Sequence, residues 1–323
     1  MGQPTVSVIL SNYNHAHNLP RSLGRLVEQT RPADEIIVID DCSTDNSVEV
    51  IEGFMQRHAN VRLVRNPRNL GCMASTNRAL EEVRFDFVYG AAADDYVERD
   101  LLEKAMRVLA TRPDAGLCCT ISDWVDEKTG IVSHVGSEMG AEARYFSRDE
   151  TVALERAGRL MIPSNAVIYR TEALRAIGGF DPELKWHSDW FSIYTLAFRH
   201  GFCFVPERLA VFFMHAAGYS ARTPAKRQEH QQVLQAIVER LDREGMEDVR
   251  DAVQSSGALF LFGLPMRRLL RGDDRFRGYL TPLFLRKNLW YSIKMGVKPY
   301  LPKWLGELYL FLAGRRAPVR RDG

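Results

Sequence analysis

The apolar run Ile36-Ile-Val-Ile39 is followed at once by Asp40-Asp41-Cys-Ser-Thr-Asp45, and this junction limits the possible folds more than any other stretch of the chain. Four β-favouring apolar residues without alternation belong to a strand covered on both faces, as in a parallel sheet. A strand that breaks into carboxylates and turn formers delivers acids to the carboxyl edge of its sheet, where open α/β folds bind ligands. Asp and Ser also cap helices well, so one such junction leaves both readings open.

Two further junctions repeat the pattern. Thr5-Val-Ser-Val-Ile-Leu-Ser-Asn-Tyr-Asn14 is a buried-strand run with a polar and aromatic end, and Phe85-Asp-Phe-Val-Tyr-Gly-Ala-Ala-Ala-Asp-Asp95 ends in paired acids. Parallel strands place such ends on one edge, so the three clusters should meet in one cleft. Helical spacing separates them: Leu19, Leu23, Leu26 and Val27, with Pro20 near the start, predict a helix over 19–28. Further helices are predicted over 47–58 (capped by Ser43 or Asp45), 74–83, 100–110 and 190–200. Strands are predicted at 61–64, 117–121, 166–169, 202–205 and 209–213, with two more around the Lys128-Thr-Gly130 turn. From 224 to 255 the chain turns polar and helical. The fold class is therefore α/β, with a mostly parallel, Rossmann-like sheet flanked by helices over 1–220 and a helical, basic extension over 221–323.

Charge is unevenly spread. Residues 261–323 hold 14 Lys/Arg against 4 Asp/Glu, a net of +10, whereas the other 260 residues hold 29 against 37, a net of −8. Such asymmetry points to a tail that meets an anionic surface. Five cysteines without Cys-x-x-Cys spacing read as reduced thiols rather than a disulfide frame or a zinc site. The N-terminus runs straight into a strand, so no secretory signal is expected. No run reaches the ~18–20 apolar residues that span a bilayer. Phosphate-binding and zinc motifs of the G-x-x-x-x-G-K-[ST], G-x-G-x-x-G and His-Glu-x-x-His kinds are absent from the sequence.

The ordered set Val6-Ser-Val-Ile-Leu-Ser-Asn-Tyr-Asn14, Gln29-Thr30, Asp40-Asp41-Cys-Ser-Thr-Asp45, Asn69-Leu-Gly71 with Asn77, Ala93-Asp94-Asp95, Gly178-Gly-Phe-Asp181 and Asp189-Trp190 resembles the family 2 glycosyltransferases of GT-A fold. The resemblance covers residues 5 to about 220. It implies an enzyme that grips a nucleotide diphosphate-sugar, offsets the diphosphate charge with Mn²⁺ or Mg²⁺, and deprotonates an acceptor hydroxyl.

Carried over residue by residue, it assigns Tyr13 to stacking on the base and Asp41 to accepting a base N–H, with a UDP-sugar as the expected donor. Ser11, Asn14, Asn77, Ala93 and Asp95 fall around the nucleotide, with Asn12 as a further neighbour. Asp94 is the metal ligand and His215 a second one. The family's usual Asp-x-Asp is Ala92-Ala93-Asp94 here, which implies retained metal use with altered nucleotide contacts. Asp189 takes the position of the general base, although Ser188 stands where a Glu usually precedes it. His187 is an alternative base, Trp186 and Trp190 a platform for sugar rings or acceptor, and Asp181 a turn cap. Ser164 and Asn165 fall where relatives shape the donor-sugar pocket. His15 and His17 read as solvated loop residues. No Gln-x-x-Arg-Trp pattern follows Asp189, which implies addition of one or a few sugars rather than processive synthesis.

The expected function is inverting transfer of a hexosyl or N-acetylhexosaminyl group to a cell-envelope glycan or lipid-linked acceptor, in polysaccharide biosynthesis. The alternative is a non-catalytic nucleotide-sugar binder or scaffold of the same fold. The segments 280–294 and 302–312 interleave aromatics with Arg and Lys and are expected to lie on an anionic membrane rather than cross it, with a subdomain packed on the catalytic domain, or an oligomer contact, as the competing readings. The expected location is cytoplasmic, with a peripheral seat on the inner face of the cytoplasmic membrane. Nucleic acid is not an expected partner, since no binding motif accompanies the charge.

Overall fold

A computed structural model describes residues 3–214 and 227–297. Its elements follow in order as β1 (Val6–Asn12), α1 (Leu19–Val27), β2 (Glu35–Asp40), α2 (Ser47–Met55), β3 (Val61–Arg65), α3 (Cys72–Glu81), β4 (Phe87–Ala92), β5 (Tyr96–Val97) and α4 (Leu101–Leu109). Then come β6 (Leu117–Asp126), β7 (Ile131–Val135), β8 (Arg144–Phe146), α5 (Arg148–Arg156), β9 (Val167–Arg170), α6 (Thr171–Ala176), α7 (Ser188–His200) and β10 (Phe202–Met214). The C-terminal region holds α8 (Arg227–Leu241), α9 (Glu247–Ser256), α10 (Gly263–Gly272) and α11 (Pro282–Val297).

The sheet order is β3-β2-β1-β4-β9-β6-β10-β5. The strands β3, β2, β1 and β4 run parallel, and only β9 runs against its neighbours within the central part. This is the GT-A arrangement of sheet and flanking helices. Strand order reverses between β1 and β4, and the crevice beyond the carboxyl ends at such a switch point is the usual ligand site of a doubly wound sheet.

Every residue of β2 is buried, because the strand serves two cores at once. Ile36 and Val38 face one core with Leu19, Leu23 and Leu26 of α1, while Ile37 and Ile39 face the other with Ala79 and Leu80 of α3. Period-two alternation thus operates inside a continuous apolar run. The strands expected at 202–205 and 209–213 are one strand, β10, whose register against β6 shifts around Arg208. Pro206-Glu-Arg208 interrupts the apolar pattern and cannot supply a full set of ladder donors, which is why the sequence reads as two pieces.

Residues 227–297 do not form a core of their own. Val233, Ile237, Val253, Phe262, Met266 and Phe284 belong to the same buried cluster as Leu196 and Phe198 of α7 and Leu80 of α3. Ion pairs stitch the join: Arg199 to Asp248 at 3.0 Å, Arg240 to Asp181 at 2.8 Å, Lys185 to Glu229, and Lys287 to Glu155 at 2.6 Å. The segment 280–294 is therefore not open on all sides, as a helix docked on the remainder of the chain cannot be. Its inner face is protein core, with Phe284 and Asn288 fully buried, and only an outer stripe remains open. The segment 302–312 lies outside the described residues. Among the described residues, no helix is long and apolar enough to cross a membrane.

Candidate active site

Parallel register sets the polar ends of three strands side by side: Asn12 pairs with Asp40, and Ser11 with Ala92. Asn12 Nδ2 donates to Asp40 Oδ1 at 2.8 Å, and Ser43 donates to the same carboxylate through N at 3.0 Å and Oγ at 2.5 Å. Ser43 Oγ accepts in turn from Asn14 N at 2.9 Å, and Asn14 Oδ1 accepts from Thr44 N at 2.7 Å. Asn14 and Cys42 both sit at positive φ, a cost that this mesh of bonds offsets. The loops after β1 and β2 are thereby locked together, and Tyr13, between Asn12 and Asn14, is left 45% exposed at the mouth.

Asp41 is nearly buried and largely committed. Its Oδ1 accepts from Asn66 Nδ2 and Leu70 N, each at 2.7 Å, and its Oδ2 from Gly71 N at 2.8 Å. A carboxylate offers about four acceptor positions, so one remains for a donor outside the chain. Asn66 also donates to Ser75 Oγ at 2.8 Å. Asn66 and Ser75 are invisible as site residues in the sequence, because only the fold brings them to Asp41.

After β4 the chain turns sharply, with Ala93 N donating to Ser11 O at 3.1 Å. Asp95 is buried and accepts from Phe213 N at 3.1 Å. Burial, then the neighbouring Asp94 charge, pushes its carboxyl well above the usual range. Asp94 is half-buried, and its carboxylate has no hydrogen-bond or ion-pair partner among the described residues. Arg21 donates to the Asp94 carbonyl at 3.3 Å and lies 4.5 Å over the Phe213 ring, an unforeseen positive charge beside the acid pair. Among the described residues no group of three or more His, Cys, Asp and Glu side chains surrounds a metal position. One uncommitted carboxylate suits a hard divalent cation that takes most of its ligands from phosphates and water, so Asp94 fits that role. His215 lies outside the described residues.

Asp189 stands in the first turn of α7. Burial pushes its carboxyl up to about 6, and no side chain or backbone group among the described residues hydrogen-bonds it. The charges of Asp189, Asp94 and Asp41 all act on Cys72 at the start of α3. Its thiol opens to solvent but is largely surrounded by protein, and desolvation first, then the Asp189 charge, pushes it up to about 12. The three acids named by the sequence thus all lie within electrostatic reach of one thiol at the start of α3.

Other expected contacts fall differently. The Asn77 amide is engaged within the chain: its Nδ2 donates to Phe180 O at 2.6 Å and its Oδ1 accepts from Phe180 N at 2.9 Å. It ties α3 to the segment that leads to Asp189. Ser11 Oγ is bonded to Thr76 Oγ1 at 2.9 Å. Trp190 packs against Phe262, 4.9 Å between ring centres, and Tyr194 at 4.7 Å, so it belongs to the join with the C-terminal region rather than to an open platform. Trp186 lies 6.4 Å from the His230 ring in the same cluster. His187 is pushed down to about 4 by burial and by His230, a poor match for proton abstraction near neutral pH. Asp181 accepts from Glu183 N at 2.9 Å, as a turn cap does. His15 bonds to Asn18 at 3.2 Å. Asn165 keeps both ends of its buried amide unpartnered, on the wall shared with Ala92 and Asp95.

The model of the family described as glycosyl transferase family 2 matches residues 7–178, more than half of the chain. An uncharacterized glycosyltransferase of Nostoc sp. strain PCC 7120 is 27% identical over 238 residues, which covers 72% of each protein. A putative teichuronic acid biosynthesis glycosyltransferase of Bacillus subtilis is 29% identical over 110 residues, 34% of this chain and 44% of that protein. Among solved structures, S. aureus TarS 1-349 in complex with UDP-GlcNAc superposes with a TM-score of 0.65 at 17% identity, covering 88% of this chain and 79% of that one. A mannosyltransferase from Pyrobaculum calidifontis in complex with GDP-Man and Mn²⁺ gives 0.55 at 19% identity, covering 91% and 87%.

Proposed function

The chain belongs to glycosyl transferase family 2, and from that premise we propose that it moves a sugar from a nucleotide diphosphate-sugar to an acceptor hydroxyl in a single inverting displacement, with Asp189 as general base. The observation that carries this reading is the state of Asp189. A carboxylate left without a protein hydrogen bond among the described residues, and held near 6 by burial, is ionised at neutral pH yet basic enough to take a proton. It accepts the hydroxyl proton as the acceptor oxygen attacks the anomeric carbon and the bond to the nucleoside diphosphate breaks. One displacement needs one catalytic carboxylate, whereas hydrolysis of a glycoside needs two.

Tyr13 stacks on the base, and Asp41 accepts a base N–H with its remaining lone pair. Asp94 would hold the divalent cation, which when bound offsets charge on the departing diphosphate. Arg21 adds a fixed positive charge on the same side. A UDP-sugar is the donor we favour; TarS structures were solved with UDP and UDP-GlcNAc, although the Pyrobaculum calidifontis mannosyltransferase was solved in complex with GDP-Man. The Bacillus relative's role in teichuronic acid biosynthesis supports a cell-envelope glycan or its lipid-linked precursor as acceptor, made at the cytoplasmic face.

The test is release of nucleoside diphosphate from a panel of UDP-, GDP-, CDP- and dTDP-sugars, with and without Mn²⁺, for the native chain and Asp189→Asn. Turnover of one donor, lost in the variant while donor binding persists, is the expected result. Binding of a donor that the native chain never turns over, across acceptors and metals, makes the protein a nucleotide-sugar binder instead.

A further inference from the structure

The C-terminal helices carry a surface that catalysis does not use. Helix α11 is two-sided. Its inner side is anchored by Phe284, Asn288 and the Lys287–Glu155 pair. Its outer side presents Leu289, Trp290 and Ile293, with Trp290 68% and Leu289 52% exposed. These three positions follow i, i+1, i+4 spacing, so they share one stripe. Arg286 and Lys294 are exposed beside it. A surface indole flanked by two aliphatic side chains is unusual for a helix that has already found its core, since burial of the inner side leaves nothing for the outer apolar stripe to satisfy.

The adjoining helix carries the same signature. Gly263, at the start of α10, packs near the Tyr291 ring of α11 and accepts from Asn288 Nδ2 through its carbonyl at 2.8 Å. From there α10 exposes Leu264, Arg268 and Arg271, at i, i+4 and i+7. Neither α10 nor α11 contains an acid, and the two acids between them are already engaged, Asp273 with Arg275 and Asp274 with Arg277. Of the basic residues on these helices, Lys287 faces inward and is matched by Glu155, and Arg267 is partly buried. The charged residues on the outer sides of α10 and α11 are therefore basic, and the sequence beyond residue 297 adds six Lys/Arg against two Asp/Glu.

We propose that the outer stripe of α11, with the basic face of α10 beside it, docks the enzyme on an anionic lipid bilayer. The charge selects anionic headgroups, and the indole and aliphatic side chains suit the headgroup–acyl boundary, where an amphipathic helix lies in the plane of the membrane. A nucleic acid would be served by the same charge but has no use for exposed Leu289 and Ile293. The inference is independent of the catalytic reading, because docking needs neither donor nor turnover.

The test is flotation of the full chain with vesicles of phosphatidylglycerol and phosphatidylcholine, against phosphatidylcholine alone, at low and high salt. The native chain is expected to float only with anionic vesicles, and salt should release it. The Trp290→Ala/Ile293→Ala variant should lower partition by about tenfold or more with an unchanged melting temperature, because both residues lie outside the core. Arg286→Glu/Lys294→Glu should weaken binding independently and reduce its salt sensitivity. Absence of flotation, or flotation that neither variant alters, overturns the proposal. So does a native dimer that the first variant turns into a monomer in analytical ultracentrifugation, since the stripe then covers a second copy, or retention on duplex DNA without vesicle binding.

Discussion

Asn77 and Phe180 exchange a reciprocal pair of hydrogen bonds, at 2.6 and 2.9 Å, across 103 positions of sequence. The side-chain amide of α3 acts here as a backbone group would, closing a two-bond ladder with the Gly178-Gly179-Phe180 turn. Gly179 sits at φ +74°, and a Cβ there would lie 2.5 Å from Asn77 Oδ1. The glycine is thus required twice, by its conformation and by the approach of Asn77. Beyond this turn Arg240 holds Asp181 at 2.8 Å, and the non-glycine Lys185 adopts φ 49° only three residues before α7, which carries Asp189. Asp189 is positioned by a strained segment clamped at both ends.

Gly179→Ala should therefore destabilise the protein by more than the ~1 kcal/mol of an ordinary left-handed alanine, because steric contact adds to strain. Asn77→Ala should cost about 1–3 kcal/mol by leaving the Phe180 groups without partners. Urea unfolding measures both, and an effect below half a kilocalorie for either would show that the ladder is not holding the turn.

Asp189→Asn should reduce turnover roughly 10²–10⁴-fold while leaving the donor dissociation constant nearly unchanged. For the native protein the base must be ionised, and its carboxyl is pushed up to about 6. Turnover should accordingly be flat above that pH and fall tenfold per unit below it. A profile that stays level down to pH 4 would remove Asp189 from the chemistry.

Tyr13→Ala should weaken donor binding by about 1–3 kcal/mol, the range of base–aromatic stacking, for every sugar attached to the same base. Titration calorimetry with the free nucleoside diphosphate isolates this contribution from the sugar pocket.

Chelation should reduce the thermal stabilisation given by the donor, and Asp94→Asn should make the remaining stabilisation insensitive to Mn²⁺. A donor at 100 times its dissociation constant adds about 2.7 kcal/mol, enough for a melting shift of several degrees. Equal shifts in EDTA and in Mn²⁺ would argue that the diphosphate charge is met by side chains such as Arg21 alone.

Lys287→Met should destabilise the fold by about 3–5 kcal/mol, and Glu155→Met added to it should recover much of that loss. Burial already raises Glu155 to about 7 despite Lys287. A carboxyl raised on folding favours the native state most at low pH and loses that contribution as pH rises from the unfolded value through the folded one. Removing Lys287 lifts Glu155 further, so the single variant should weaken progressively between about pH 5 and 8, which pH-dependent urea melts would register.

Some of this was legible because the signal is local. The apolar run of β2 and the acids that end it are contiguous, and hydrophobic alternation needs no knowledge of partners. The same holds for the Pro20 start of α1 and the Gly201 end of α7. Helix α5 was legible too but is absent from the sequence reading. Ser147 and Glu150 form a full capping box, the kind of start signal that a search for caps finds. The bonds of Asn77 to Phe180 were not legible, because motif position says only that a residue is near the site, not which group it touches. Trp190 was misplaced because an exposed-looking aromatic on α7 is covered by Phe262, a residue from a region whose packing the α7 sequence does not encode.

The sequence by itself determined most strands and helices of the first hundred residues and the three acidic or polar strand ends, and its resemblance to a family singled out Tyr13, Asp94 and Asp189. The elements and strand ends follow from residue type and short-range spacing, which set backbone conformation and which face is apolar, whereas the site roles follow from the order of the motifs. Only the tertiary structure decided which of those groups remain available. Asp41 and Asn77 are mostly or wholly engaged by the chain's own backbone, whereas Asp94 and Asp189 keep carboxylates free of such partners among the described residues. It also decided that α11 faces both inward and outward. The reason is physical: hydrogen-bond saturation and desolvation depend on what distant segments bring within a few ångströms, and that proximity exists only once the sheet and its C-terminal helices have closed on one another.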